Sequence, residues 1–330
     1  MKNLAIIGGG SWGTALAIVL SARFERLRLW VYEPDLAERM RSTRENDVYL
    51  PGFRLPANVE FHNEFAPAIR EAEMVLGVMP SHLARAVYQE MAPYLTPAML
   101  VVSATKGLES GTLQRMSEVI REVLGAGSRV AVISGPTFAR EVARGDPSAL
   151  VVASPQTEVA EAVQCAFSGP TFRLYTSADP VGVEIGGAVK NVVAIGAGVC
   201  CGLGLGHNAT AALITRGLAE IGRLALAMGG QAKTLAGLAG LGDLVLTCTG
   251  ELSRNRSVGI ELAKGRKLDQ IVSSMKMVAE GVKTTAATVD LARRHRVEMP
   301  IAEQMYAMLY LNRAPQEAIR QLMERSLKGE

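Results

Sequence analysis

Three glycines near the start of the chain have the spacing G-x-G-x-x-G. Gly8, Gly10 and Gly13 follow an apolar run that ends at Ile7, and a helix-forming segment, 14–22, comes next. In a strand–turn–helix unit the first glycine makes the tight turn, the second lets a pyrophosphate approach the backbone, and the third lets the helix pack closely on the strand. The helix directs its free N–H groups and the positive end of its dipole at the phosphates. The segment therefore predicts a site for a nicotinamide or flavin dinucleotide.

An acidic residue lies where such a site usually binds the adenosine ribose. Glu33 follows the second predicted strand, twenty residues after Gly13. A carboxylate there accepts hydrogen bonds from the ribose 2′-hydroxyl and repels a 2′-phosphate, so Glu33 favours NAD(H) over NADP(H). Arg39, Arg41 and Arg44 follow closely. They would either offset this repulsion or form the solvated face of a helix.

Two lysines are placed for chemistry on a carbonyl or a phosphate. Lys106 follows a predicted strand, where an ammonium group holds a phosphate or polarises a carbonyl, although a solvated loop lysine fits the local sequence too. Lys190 lies in a strongly apolar stretch with small neighbours. A lysine in such surroundings must reach solvent, form an ion pair or take part in catalysis, and burial lowers its pKa toward the range useful for proton transfer. Lys190 is therefore the leading candidate for an acid or base.

Three further segments carry polar groups near the predicted cleft. The turn 134–139 offers free N–H groups and the Thr137 hydroxyl, and helix capping would explain it nearly as well. Ser81 and His82 follow another strand, and Ser81 is expected to cap the next helix. The region 237–255 combines closely spaced glycines with Arg254, whose planar fork suits phosphate oxygens. By itself that region also fits a polar surface loop.

The elements that must position these residues change character along the chain. The first half alternates apolar β-rich runs with helical patterns, which implies a largely parallel sheet covered by helices. We therefore predict an α/β fold: an N-terminal Rossmann-type doubly wound sheet, 1–179, and an all-α C-terminal domain, 180–330. The predicted strands are 3–8, 27–32, 74–79, 99–103, 129–134 and 149–153. The predicted helices beyond the first are 35–43, 81–91, 113–124, 157–167, 181–201, 208–228, 257–263, 268–274, 284–295, 301–311 and 315–324.

Composition excludes several classes of protein. The 330 residues are 48% hydrophobic and 20% charged, as in a soluble globular protein, and a net charge of +3 gives no reason to expect nucleic acid. The chain opens on a strand pattern, so no signal peptide is expected. The apolar stretch 192–205 is too short to span a bilayer and is predicted to be a buried helix. The four cysteines have no zinc-ligand spacing, so we expect reduced thiols, no metal and a cytoplasmic location.

Taken in order, these segments resemble the bacterial NAD(P)-dependent glycerol-3-phosphate dehydrogenase family over nearly the whole chain. Several separate motifs in one order are more specific than any one of them. The resemblance is carried by Gly8-Gly9-Gly10-Ser11-Trp12-Gly13-Thr14-Ala15, Pro80-Ser81-His82, Thr105-Lys106-Gly107-Leu108, Ser134-Gly135-Pro136-Thr137-Phe138-Ala139, Val189-Lys190-Asn191, Gly240-Leu241-Gly242-Asp243 and Ser253-Arg254-Asn255.

The resemblance implies a reaction and roles for individual residues. The reaction is reversible hydride transfer between NAD(P)H and dihydroxyacetone phosphate, giving sn-glycerol 3-phosphate for phospholipid synthesis, in a cytoplasmic homodimer. Lys190 would be the catalytic proton-transfer residue. The implied substrate contacts, besides Lys190, are Lys106, Gly135, Thr137, Asp243, Ser253, Arg254 and Asn255. The implied cofactor contacts, besides the three glycines and Glu33, are Ser11, Trp12, Tyr49, Lys106, Ala139, Arg254, Val278 and Glu280.

The chain departs from the family at Tyr32-Glu33, where many members carry a basic residue for the 2′-phosphate. This departure favours NAD(H). Two other functions share the same plan: a related ketopantoate or 3-hydroxy acid dehydrogenase, and a non-catalytic NAD(H)-sensing protein. The loop residues Asp243 and Arg254 argue against the first, and the presence of both Lys106 and Lys190 argues against the second.

Overall fold

The computed structural model describes residues 1–275, 279–327 and 329. Within them the chain forms ten strands: β1 (Asn3–Ile7), β2 (Arg26–Trp30), β3 (Glu45–Asn46), β4 (Leu50–Arg54), β5 (Val59–His62), β6 (Met74–Gly77), β7 (Leu100–Ser103), β8 (Arg129–Ser134), β9 (Ser148–Ala153) and β10 (Phe172–Ser177). The helices of this first half are α1 (Ser11–Leu20), α2 (Pro34–Thr43), α3 (Phe65–Ile69), α4 (Ala84–Met91), α5 (Met116–Leu124), α6 (Ala139–Arg144) and α7 (Thr157–Phe167).

Eight strands form one sheet in the order β10-β9-β8-β7-β6-β1-β2-β5, and β3 and β4 form a separate hairpin. The run β5-β2-β1-β6-β7-β8 is parallel and has the strand order of a dinucleotide-binding doubly wound sheet. Its direction of winding changes between β1 and β6. The Rossmann-type prediction is confirmed.

The central strands are apolar because helices cover both faces of the sheet. In β1, Leu4 and Ile6 pack into one buried cluster, whereas Ala5 and Ile7 pack into another. Residues that alternate along a strand face opposite sides, so each side of β1 meets its own helix layer.

Two strands of this sheet, β5 and β10, were not predicted, and both lie at its edges. In β5, Val59 and Phe61 are buried while Glu60 is exposed; in β10, Phe172 is buried and Arg173 exposed. Edge strands of this kind alternate between apolar and polar residues, so a search for continuous apolar runs misses them. The β3–β4 hairpin was missed as well, since β3 has only two residues.

The last two strands run against the others. β9 is antiparallel to β8, and β10 is parallel to β9. Ser177 at the end of β10 pairs with Ala153, which pairs with Val132 in the middle of β8. The chain therefore leaves the sheet half-way along β8 while running toward its amino end. It then turns back, and Gly187 lies against Ser134 at the carboxyl end of β8.

Helices form the rest of the described chain. They are α8 (Pro180–Gly202), α9 (His207–Ala227), α10 (Ala232–Leu235), α11 (Asp243–Thr249), α12 (Arg254–Ala263), α13 (Leu268–Ser273), α14 (Glu280–His295), α15 (Pro300–Tyr310) and α16 (Pro315–Met323). A π-helical turn, Leu238–Gly242, precedes α11.

The long helix α8 is the core of this helical half. By length and composition alone it would cross a membrane, with a mean hydropathy of 1.5, but 89% of its apolar window is buried within the fold. This agrees with the predicted buried helix. Its first turn is capped by Asp179, whose carboxylate accepts from the Gly182 N–H at 2.8 Å. A second buried carboxylate, Glu220 of α9, accepts from the N–H of Ile301 at the start of α15.

The region 237–255 is mostly helical, so its description as a glycine-rich polar loop is wrong. Three helices also start three or four residues earlier than predicted: α1 at Ser11, α12 at Arg254 and α14 at Glu280. These first turns contribute little to apolar periodicity, because they carry polar residues and glycine, such as Asn255 and Gly281. As a consequence, residues expected in loops lie in first helical turns, where the dipole is positive.

Candidate functional site

The carboxyl edge of the parallel strands gathers the sequence-predicted residues of the first half. The glycine turn follows β1, Ser81 follows β6, Lys106 follows β7 and Gly135 follows β8. Parallel strands end at one edge, and ligands of open α/β sheets bind there, where the winding direction changes. The helical half closes over the same edge, since Lys106 contacts Asp243 of α11.

The glycine turn has the geometry of a phosphate site. Gly8 has φ +126°, and a side-chain carbon on Gly13 would lie 1.9 Å from the Gly8 carbonyl oxygen, so α1 packs closely on β1 only with glycine there. The cap residue of α1 is Gly10, with no side-chain cap among the described residues. A carbon built on Gly10 meets no described atom within 4 Å. The space beside Gly10 at the start of α1, where the first N–H groups of a helix lack intrahelical partners, is therefore open, as a pyrophosphate site requires.

Lys190 lies at the middle of α8 and is only 5% exposed. Its Nζ donates to Asp243 Oδ1 at 2.7 Å and to Thr247 Oγ1 at 2.6 Å. Asp243 and Thr247 are four residues apart on α11, so they share the face of that helix that meets α8. The buried ammonium is therefore held by one charged and one neutral acceptor.

Lys106 reaches the same carboxylate from the other side. Its Nζ donates to Asp243 Oδ2 at 2.8 Å, to the Gly135 carbonyl at 2.9 Å and to Thr137 Oγ1 at 3.4 Å. Asp243 is fully buried, and each of its oxygens binds one lysine. One carboxylate thus bridges two ammonium groups that belong to different halves of the chain.

This arrangement sets the proton affinity of Lys190. Burial lowers the pKa of Lys190 to about 8; the Asp243 carboxylate opposes this effect and the Lys106 ammonium adds to it. A group with this pKa is mainly protonated at neutral pH but releases its proton readily. The opposing effect of Asp243 was not foreseen, nor was any role for Thr247, although the i,i+4 spacing of the two residues was a usable signal.

A chain of amides joins α8, α12 and α14. Asn255 Nδ2 donates to Asn191 Oδ1 at 2.9 Å, and Asn255 Oδ1 accepts from the Gly281 N–H at 2.9 Å. Ser253 caps α12 by accepting from the Arg256 N–H at 3.2 Å. Arg254 is exposed beside these buried residues. Of this motif, therefore, the arginine presents the most surface to a ligand.

Glu280 and Ser81 connect the two halves of the chain. The Ser81 hydroxyl donates to Glu280 Oε2 at 3.0 Å. The expectation that Ser81 caps a helix is wrong, because the short helix that follows has no side-chain cap bond. Burial raises the pKa of Glu280, and the Ser81 hydrogen bonds oppose it. His82 is half-buried beside them, and burial followed by the Lys283 ammonium lowers its pKa.

Glu33 and Tyr49 meet at the other end of the site. The Tyr49 hydroxyl donates to Glu33 Oε1 at 2.6 Å. Glu33 follows β2, which is four strand positions from β8 in the sheet. At the usual strand spacing, β2 and β8 are about 19 Å apart. Ala139 opens α6. Val278 lies outside the described residues. In the described part of the chain, no three His, Cys, Asp or Glu side chains form a metal-binding group.

Two family models cover most of the chain. The N-terminal model of NAD-dependent glycerol-3-phosphate dehydrogenase matches residues 3–160, and the C-terminal model matches residues 179–320. The chain belongs to the NAD-dependent glycerol-3-phosphate dehydrogenase family. The resemblance inferred from the motifs is thereby confirmed.

Curated relatives agree in length as well as in sequence. Glycerol-3-phosphate dehydrogenase (NAD(P)+) of Koribacter versatilis is 55% identical over 98% of both chains. The enzyme of the same name from Syntrophotalea carbinolica is 53% identical over 99% of both. The chain therefore spans the whole length of these family members.

Solved structures separate the family from its neighbours. The glycerol-3-phosphate dehydrogenase of Coxiella burnetii is 40% identical with a TM-score of 0.94, covering 98% of this chain and 99% of that one. A ketopantoate reductase from Ralstonia eutropha is 16% identical with a TM-score of 0.64, covering 96% of this chain and 100% of that one. The second likeness shows only a shared fold, so the alternative functions are not favoured.

Proposed function

We propose that this chain catalyses reversible hydride transfer between NAD(H) or NADP(H) and dihydroxyacetone phosphate, forming sn-glycerol 3-phosphate. The observation that carries the proposal is the Lys190–Asp243–Lys106 bridge, at the same sheet edge as the glycine turn. It combines a proton-transfer group, a fixed positive charge and a dinucleotide site at one edge of the sheet. The product is a precursor for phospholipid synthesis.

The residues around the cleft fit a nicotinamide dinucleotide. Bound there, the dinucleotide supplies or accepts the hydride at C4 of its ring. The pyrophosphate would bind to the backbone N–H groups of the glycine turn and the first turn of α1, which pack closely together. These residues are Gly8, Gly10, Ser11, Trp12 and Gly13. The remaining proposed contacts are Glu33, Tyr49, Lys106, Ala139, Arg254, Val278 and Glu280.

Lys190 is the proposed catalytic residue. When dihydroxyacetone phosphate is reduced, the Lys190 ammonium donates a hydrogen bond to the C2 carbonyl oxygen and delivers the proton that becomes the hydroxyl hydrogen. In the oxidative direction, neutral Lys190 removes that hydroxyl proton. A pKa of about 8 suits both directions. Thr247, which accepts from Nζ, aims the ammonium.

Lys106 and Asp243 shape the charge around the reacting oxygen. The Lys106 ammonium, 18% exposed at its side chain, stabilises negative charge that develops on that oxygen. Asp243 holds both lysines and keeps Lys190 protonated at neutral pH. Because Asp243 is fully buried and both of its oxygens already bind lysines, positioning these lysines fits it better than direct contact with the substrate.

The substrate phosphate is the proposed ligand of the α12 first turn. Arg254 offers a planar pair of N–H donors and is exposed. Asn255 has used one of its two amide hydrogens on Asn191, which leaves the other for an oxygen of the substrate. Gly135, Thr137 and Ser253 complete the proposed set. Binding the distant phosphate orients the carbonyl toward Lys190.

The domain boundaries, the oligomeric state and the cellular location each have their own support. Residues 1–179 and 180–330 are proposed as a dinucleotide-binding domain and a helical substrate domain, which agrees with the last strand ending at Ser177. A homodimer follows from the family resemblance, and light scattering tests it. A cytoplasmic location is supported by the four free cysteines, since cytosolic thiols stay reduced.

Initial rates with dihydroxyacetone phosphate, measured with NADH and NADPH side by side, test the substrate and the cofactor together. We expect reduction with both and a preference for NADH, because Glu33 repels a 2′-phosphate. Absence of reduction with either cofactor would refute the reaction. A strong preference for NADPH would refute the role given to Glu33.

A further inference from the structure

The β3–β4 hairpin is tied to the glycine turn by one buried side chain. Asn46 is 0% exposed. Its Nδ2 donates to the Gly9 carbonyl at 2.7 Å and to Thr14 Oγ1 at 2.8 Å, and its Oδ1 accepts from the Tyr49 N–H at 2.9 Å. Both amide hydrogens and the carbonyl oxygen are therefore used. An aspartate of the same shape lacks both donors, so the contact is specific for the amide.

The same hairpin brings Tyr49 to the acidic residue beyond β2. The half-buried Tyr49 hydroxyl donates to Glu33 Oε1 at 2.6 Å, which leaves Oε2 free to accept from another group. The Glu33 hydrogen bond, followed by burial, raises the pKa of Tyr49 to about 12, so the phenol keeps its proton at physiological pH. Glu33 is thus held in one orientation rather than free to turn into solvent.

Arg39 and Arg41 of α2, and Arg44 just after it, already have other partners. Arg39 forms two hydrogen bonds of 3.1 Å with the Asp47 carboxylate, and Arg41 pairs with Glu38 at 2.6 Å. Arg44 donates to backbone carbonyl oxygens and lies 4.9 Å above the Phe61 ring. Offsetting the charge of Glu33 with these arginines would require breaking such contacts. In this arrangement the three arginines are directed to these partners rather than to Glu33.

We propose that Tyr49 is a specificity-determining residue for NAD(H), which orients the Glu33 carboxylate toward the ribose diol, and that Asn46 is the positioning residue that fixes Tyr49 relative to the glycine turn. This rests on the proposed function only in that the ligand is a nicotinamide dinucleotide. The carboxylate oxygen left free accepts a ribose hydroxyl. A 2′-phosphate in its place meets a negative charge that cannot swing away, because Tyr49 holds it.

Dissociation constants for NADH and NADPH, measured by fluorescence titration without substrate, test this proposal. For Tyr49→Phe we expect the preference for NADH to fall about fivefold, because a charge-assisted hydrogen bond is lost. For Glu33→Gln the preference should fall about tenfold or more. Adding Tyr49→Phe to Glu33→Gln should change the ratio little, since the phenol acts through the carboxylate.

One variant serves as a control, and another tests the role of Asn46. Tyr94→Phe removes a phenol hydroxyl from an exposed side chain and should leave the ratio unchanged. Asn46→Asp should weaken both NADH and NADPH, because it disturbs the turn that both share, and should also lower the preference for NADH, because Tyr49 is released. Thermal unfolding of each variant identifies those that remain folded.

An unchanged ratio in folded Tyr49→Phe would overturn the proposal. An equally large effect of Tyr49→Phe in the Glu33→Gln background would overturn it as well. These ratios require no turnover. Failure of the proposed reaction would appear separately, as wild-type protein that binds NADH but does not reduce dihydroxyacetone phosphate.

Discussion

Replacing Asp243 by asparagine removes the charge that holds Lys190 protonated and leaves the shape of the side chain nearly unchanged. In the wild type, Asp243 Oδ1 lies 2.7 Å from Lys190 Nζ and Oδ2 lies 2.8 Å from Lys106 Nζ. At an effective dielectric constant of about 20, opposite charges about 4 Å apart attract by about 4 kcal/mol. Since about 1.4 kcal/mol corresponds to one pH unit, the pKa of Lys190 should fall from about 8 to about 5.

The fall in pKa has opposite consequences for the two directions of the reaction. At pH 7, Lys190 is about 90% protonated in the wild type and about 1% protonated in Asp243→Asn. Reduction needs the proton, so kcat for dihydroxyacetone phosphate should fall about a hundredfold at pH 7 and recover toward pH 5. Oxidation of sn-glycerol 3-phosphate needs neutral Lys190 and should lose much less at pH 7.

The assay is the pH dependence of kcat in both directions, at saturating substrate, with Thr247→Val as the matched control. That variant removes a neutral acceptor of Lys190, so the pKa should fall by only about one pH unit. Loss of a buried partner charge costs about 3–5 kcal/mol, so circular dichroism must show that both variants are folded. A folded Asp243→Asn protein with the wild-type pH profile would refute the role of Asp243.

Further perturbations test the other parts of the site and the fold. Lys190→Ala should lower kcat for reduction about a hundredfold or more with little change in the NADH dissociation constant, and near-normal turnover would exclude Lys190 as the proton donor. Arg254→Ala should raise KM for dihydroxyacetone phosphate far more than KM for dihydroxyacetone, and equal losses would contradict a phosphate contact. Burial raises the pKa of Glu220 from 4.5 to about 7, so the folded protein binds more protons in this window and stability falls as pH rises through it. Between pH 4.5 and pH 8, Glu220→Gln should therefore gain about 3 kcal/mol of stability relative to the wild type. Urea unfolding that shows the same difference between variant and wild type at both pH values would contradict this.

The sequence predicted the parts of the molecule whose patterns are local. The central strands are continuous apolar runs, the glycine spacing is tied to one turn, and an isolated lysine in an apolar helix stands out. For these reasons β1, α8 and Lys190 were identified without a structure.

What the sequence did not predict depends on tertiary contacts. The edge strands β5 and β10 alternate in polarity, and α11 follows three glycines, each of which disfavours a helix by about 1 kcal/mol. Asp243 appeared only as a substrate contact, because nothing local indicates that its carboxylate meets lysines 53 and 137 residues away. The partners of Ser81 and Asn46 were missed for the same reason.

β9 and β10 run antiparallel to the other strands of the sheet, and they place the start of α8 beside it. Gly187 therefore passes the end of β8, and Lys190 follows one turn later. Ten residues of helix separate Pro180 from Lys190, which is about 15 Å of rise. One inserted residue would move Lys190 by about 1.5 Å and turn it by about 100° away from α11. Surface connections such as the exposed one between α12 and α13 can change length during evolution without this effect. Between Pro180 and Lys190 we expect no insertions or deletions among active members of the family, because the length of this segment fixes the position of the proposed catalytic amine relative to the sheet.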